Sequence, residues 1–117
     1  MKIKNLLFAS LMAISLLGTA GAAWAENVRM FVRHEVADYG TWRTAFNSFA
    51  PTQKKLGVIS KSVYQSADNP NDITVIHDFR SLEKAKAFAA SPELKSAMEK
   101  AGVKGAPQIW FTTLSTK

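Results

Sequence analysis

The sequence contains no cysteine in its 117 residues. That excludes a disulfide scaffold, a cysteine nucleophile, a thiolate metal site, an iron–sulfur cluster and a cysteine-linked lipid. Histidine is nearly as scarce, with two copies. There is no H-E-x-x-H motif, no glycine-rich phosphate loop and no G-x-S-x-G nucleophile turn. No basic run with interleaved aromatics occurs either, so a nucleic-acid partner is not expected. The formal charge of +6 is carried by lysines scattered among acids, as on a solvated surface. A hydrophobic fraction of 47% is that of a globular chain rather than a disordered one. The length allows a single domain.

Long apolar runs are missing except near the start. Lys2 and Lys4 precede an apolar run from Leu6 to Leu17, then small residues, then Ala23-Trp24-Ala25. This is the pattern of a secretory signal with an A-x-A cleavage site before Glu26. A membrane span needs roughly 20 apolar residues, and this run is shorter and lacks a basic stop signal. Residues 1–25 are therefore expected to be removed, which places the mature protein in the periplasm or outside the cell, with no membrane attachment after cleavage. What remains, residues 26–117, carries a charge of +4 after the loss of Lys2 and Lys4. A domain of this size buries only about 60–65% of its unfolded surface, so association with a partner is one route to stability.

The mature chain is predicted to run strand, helix, strand, strand, helix, strand. Val28 to Val36 alternates with a period of two, placing Val28, Met30, Val32 and His34 on one face and Arg29, Phe31, Arg33 and Glu35 on the other. Asp38 suits a helix N-cap, followed by the aromatic stripe Tyr39, Trp42, Phe46 and Phe49. Pro51 ends that helix or opens a short second one, and Gly57 is a C-terminal signal. Val58 to Gln65 and Ile73 to Arg80 read as a hairpin around the turn Asp68–Asp72. Ser81 and Ser91 cap the next two helical stretches, with Pro92 at a first helical position and Gly102 as the stop. Lys104 to Pro107 reads as a linker before a last strand, Gln108 to Leu114.

This order gives an α+β, ferredoxin-like βαββαβ fold with an antiparallel sheet. Helices cover one face of such a sheet. The other face should be polar, yet Phe31, Ile76, Trp110 and Leu114 all project there. A second copy packed sheet against sheet, as a two-fold dimeric α/β barrel, would cover them.

Specific segments carry a resemblance. Val36-Ala37-Asp38-Tyr39 with Trp42-Arg43 and Phe46, then Asp68–Asp72, Ser81-Leu82-Glu83-Lys84-Ala85, Phe88, Ser91-Pro92-Glu93-Leu94 and Met98 through Val103, span nearly all of the mature chain. Together they resemble the antibiotic-biosynthesis-monooxygenase-like superfamily of small dimeric α/β-barrel proteins. That resemblance implies two ferredoxin-like sheets paired as a barrel. The superfamily includes cofactor-free oxygenases, haem-degrading enzymes, polyketide cyclases and proteins with no known reaction. Many oxygenase-like members carry a histidine on the second helix where this chain has Phe88, a departure from oxygenase chemistry.

The candidate ligand-pocket residues are Arg33, His34, His77, Asp78 and Trp110. The two histidines lie on the apolar faces of their strands. They are a pocket base, ligands to a metal or haem, or buried groups bonded to a neighbouring carbonyl or carboxylate. In an antiparallel pairing of the first and third strands they fall several residues apart, too far to share a metal ion, and no third ligand stands out. Arg33 and Asp78 either orient a ligand in the barrel or form a cross-strand ion pair, with Arg29 and Arg80 on the same face. Trp110 marks either a ligand wall or a dimer seam. The composite expectation is an exported homodimer that binds a small hydrophobic or aromatic molecule, without a cofactor. The alternative is a cofactor-free monooxygenase or cyclase using His34 or His77.

Overall fold

The computed structural model describes residues 27–116; the export signal expected over residues 1–25 lies outside them. Among the described residues, the elements run β1 (Val28–Val36), α1 (Tyr39–Ser48), α2 (Ala50–Lys55), β2 (Ser60–Gln65), β3 (Asp72–Phe79), α3 (Leu82–Ala89), α4 (Pro92–Lys100) and β4 (Val103–Thr113). The strands form one antiparallel sheet in the order β2-β3-β1-β4, the ferredoxin-like arrangement.

The local signals act where the spacing places them. Asp38 accepts hydrogen bonds from the Thr41 backbone N–H at 2.9 Å and the Thr41 hydroxyl at 3.0 Å, fixing the start of α1. Ser81 and Ser91 each accept an N–H at 3.2 Å, from Lys84 and Leu94, and Pro92 then opens α4. Pro51 begins α2 rather than simply ending α1, because its missing N–H would have no partner in a first turn. Gly57, at φ +106°, makes the reversal from α2 toward β2 that a side chain would strain.

One boundary differs from expectation. The stretch Lys104 to Pro107 is strand, so β4 starts at Val103, not at Gln108. Its register shifts between Arg33, which faces Gln108, and Glu35, which faces Lys104. Gly105, Ala106 and Pro107 therefore oppose His34 alone, a bulge in which Gly105 takes φ +71°. Glycine and proline suggest a loop locally, but an edge-strand bulge accommodates both.

Residues on the inward face of the sheet build the core against the helices. Val28, Met30, Val32, Phe79, Ala85, Phe88 and Leu94 pack in one cluster. Val36, Trp42, Phe46, Ile73, Val75 and Ala101 form another. On the opposite face, Ile76, Phe31 and Trp110 lie side by side across three strands. Phe31 stacks on Trp110 with centroids 5.1 Å apart, and Trp110 remains 41% exposed. Among the described residues no helix is long and apolar enough to cross a membrane.

Candidate functional site

The structure separates the five expected pocket residues into two groups on opposite faces of the sheet. Arg33, Asp78 and Trp110 are on the open face, whereas His34 and His77 are inside, beneath the helices. The expected Arg33–Asp78 pair is not formed. Arg29 faces Asp78 in the β1–β3 register and pairs with it at 2.8 Å, while Arg33 faces Thr74 and reaches diagonally to Asp72 at 2.7 Å. Asp78 lies four residues beyond Thr74, about 13 Å along the strand, which is out of reach. Arg80 falls past the end of β3, beside Lys84 and Lys54, and does not join Arg29.

Both ion pairs are two-pronged, with Nε and Nη2 of each arginine donating to the two oxygens of one carboxylate. Ser60 adds a hydroxyl donor to Asp78 at 2.7 Å. Hydrogen bonding from Arg29 holds the Asp78 carboxyl below its usual range, and Arg33 does the same for Asp72. These pairs flank the Ile76–Phe31–Trp110 band on either side and are satisfied within the sheet. They leave the band as an apolar strip on the open face.

The inner group is chemically different. His34 is 7% exposed and meets Trp42 edge-on at 5.8 Å; His77 is 3% exposed and lies 5.3 Å from Phe88. The Nδ1 atoms of both are buried without a hydrogen-bond partner. Buried polar atoms are seldom left that way, and a site that does so calls for an account. Burial pushes both imidazoles toward neutrality; for His77, with the nearby Lys61 charge adding to it, the pKa falls to about 4. Near pH 7 His77 is thus a neutral imidazole with an acceptor nitrogen available.

The two histidines line one cavity of about 40 Å³ between the sheet and the helices, together with Trp42, Phe46, Leu94 and Met98. A water needs roughly 10–15 Å³ of such space, whereas an engineered cavity of about 150 Å³ holds benzene. As it stands, the cavity thus has room for small guests only. Ala45, Phe49 and Ala97 line both this cavity and a surface seam between α1, α2 and α4, so the route outward runs between helices. His34 faces Ile73 and His77 faces Met30, about 13 Å apart along the strands, as the alternation implied. No group of three histidine or acidic side chains able to hold a metal occurs among the described residues.

Two further residues belong to this site. Gln53, 1% exposed, lines the cavity and accepts a hydrogen bond from the Lys61 ammonium. Lys61 sits directly opposite His77 on β2. Both were legible as exceptions: Gln53 continues the stripe Trp42, Phe46, Phe49 at helical spacing, and Lys61 shares an inward strand face with Val63.

Comparison with known proteins places this geometry in a family. The chain belongs to the antibiotic biosynthesis monooxygenase family, which matches residues 22–100. Solved structures share its fold. SnoaB, a cofactor-independent oxygenase from Streptomyces nogalater, is 14% identical with a TM-score of 0.66, covering 80% of this chain and 97% of its own. A Bordetella bronchiseptica protein provisionally named an antibiotic biosynthesis monooxygenase is 11% identical with a TM-score of 0.68, covering 77% of this chain and 98% of its own. A conserved protein from Methanosarcina mazei Go1 is 15% identical with a TM-score of 0.63, covering 79% and 96%. No curated protein sequence matches the chain.

Proposed function

We propose that this chain is an exported homodimer that binds a small aromatic or other hydrophobic molecule between its sheet and its helices. The cavity holding His34 and His77, with two buried Nδ1 atoms unpartnered, carries this reading. A polar group on a guest would give those nitrogens a partner. Admitting a ring requires the cavity to widen, and the half-buried Met98 is the adaptable wall that can yield. This assigns the ligand to the helix side of each sheet rather than to the space between two sheets.

Isothermal titration of the protein with 2-naphthol should give saturable binding, one molecule per chain. Ala97→Phe, which fills the seam leading to the cavity, should weaken that binding at least about tenfold, since it blocks the guest without touching either histidine. Unchanged affinity in Ala97→Phe would place the ligand elsewhere.

A second reading, a cofactor-independent oxygenase or cyclase, draws support from the family and from the fold shared with SnoaB. Its difficulty is acid–base chemistry. A phenol with a pKa near 10 would transfer its proton to His77 about six units uphill, a cost of about 8 kcal/mol. Phe88 also stands where the resemblance leads one to look for histidine. Oxygen uptake with 2-naphthol should therefore stay at the buffer level; uptake that His77→Gln abolishes would favour the oxygenase.

The homodimer rests on the open face. Ile76, Phe31 and Trp110 form an apolar strip that a second sheet would bury, with the flanking ion pairs at its rim. Sedimentation equilibrium should give twice the chain mass. Phe31→Glu, on the face away from the core, should shift the protein to monomer while preserving its circular dichroism.

A further inference from the structure

The cavity between the layers is apolar along most of its wall, but its Gln53 end borders charge. Gln53 lines both the cavity and an outer groove of about 670 Å³. Lys54, Lys61, Arg80 and Lys84 line that groove, and no carboxylate does. Lys61 Nζ donates to Gln53 Oε1 and lies 5.3 Å from the centre of the Phe46 ring. The Arg43 guanidinium lies 5.5 Å from the same ring, which is itself a wall of the cavity. Among the described residues, neither Lys61 nor Arg43 forms an ion pair; the acids that do, Asp72 and Asp78, are engaged on the other face. Partial burial and the neighbouring Arg43 charge push the Lys61 ammonium down, the signature of cations crowded without a counter-charge.

A cluster of like charges at one end of an apolar slot focuses a positive potential along it. An acid group placed there gains charge-assisted hydrogen bonds that a neutral group cannot make. We infer that the molecule bound between the layers is a small aromatic acid, its ring among Trp42, Phe46 and Leu94 and its carboxylate held at the Gln53 end by Lys61 and Arg43. This inference rests on the binding reading above and names the chemistry of its ligand. In this arrangement Lys61 exchanges the Gln53 carbonyl for the carboxylate, and the Gln53 amide is left to donate to the same anion. The groove cations beyond it speed capture of the anion.

The test compares two probes of one shape and different charge, 2-naphthoate and 2-naphthamide, by titration of the full chain at low salt and pH 7.5. The naphthoate is ionised at that pH. It should bind at least about tenfold tighter than the amide, and the preference should shrink on raising salt from 20 to 500 mM, as the Debye length contracts. Lys61→Met should cut the naphthoate-to-naphthamide ratio to under about threefold. If that variant does not fold, Arg43→Met and the salt series on the unaltered protein give the same reading. Equal affinity for both probes would overturn the aromatic-acid inference while leaving the binding reading intact. Failure of both probes while 2-naphthol binds would overturn this inference alone; failure of all three would overturn the two together.

Discussion

Phe88→Ala is expected to destabilise the fold by about 3–5 kcal/mol, among the largest losses any single substitution here can produce. Phe88 is 1% exposed, and its ring touches three others: His77 at 5.3 Å, Phe79 at 5.4 Å and Phe49 at 6.3 Å between centroids. It ties α3 to β3 and to the end of α1, so its removal opens a void that no single neighbour can fill. For a domain whose total stability lies in the range of about 5–15 kcal/mol, that loss approaches unfolding. Urea denaturation should show a midpoint lowered in proportion, with the slope unchanged. Phe88→Leu, which retains much of the volume, should cost roughly half as much. A loss below about 1 kcal/mol in Phe88→Ala would mean that α3 does not pack through this ring.

The second large effect is a dependence of stability on pH. His77 titrates at about 4 in the folded protein because burial and then the Lys61 charge disfavour its protonated form. In the unfolded chain it titrates near 6.5. Between those values the unfolded state binds the extra proton, so stability is full above about pH 6.5 and falls as the pH drops toward 4. With about 1.4 kcal/mol per unit, the loss across that window is about 3 kcal/mol. His34, lowered mainly by burial, acts in the same direction. Below pH 4 the His77 contribution is exhausted, and the lowered carboxyls of Asp38, Asp72 and Asp78 continue the decline as they protonate. Urea titrations at half-unit steps from pH 7.5 to 4 should reveal the slope, and His77→Leu should remove most of it. Equal stability of the parent protein at pH 6.5 and 4.5 would refute a neutral, buried His77.

Binding a guest should change that slope. A carboxylate held by Lys61, directly opposite His77, favours the protonated imidazole, so binding the aromatic acid should flatten the slope. The pH behaviour and the proposed ligand thus meet where Lys61 faces His77, which couples stability to binding.

Much of the architecture was readable along the chain because its signals are local. Strand alternation in β1 and β3 placed Met30, Val32, His34 and His77 on one face and Arg29, Phe31, Arg33 and Asp78 on the other, and the sheet keeps that division. Asp38, Ser81 and Ser91 cap helices because a side-chain oxygen needs only an N–H three residues away. The β4 start was misjudged at Gln108 because glycine and proline carry the same local signature in a loop and in an edge bulge. Which arginine meets which aspartate could not be read at all. Strand parity says that Arg33 and Asp78 share a face, but only the register says that they are four rungs apart.

The sequence by itself determined the absence of cysteine chemistry, the βαββαβ order, the helix caps and the two-sided division of residues along β1 and β3, since each follows from neighbours a few positions away. Tertiary structure alone decided the rest. It put His34 and His77 under the helices around one cavity, joined Gln53 of α2 to Lys61 of β2, and set Lys61 beside His77 so that burial and charge together keep that imidazole neutral. Those properties depend on desolvation and on contacts between segments distant in the chain, and neither exists until the helices close over the sheet.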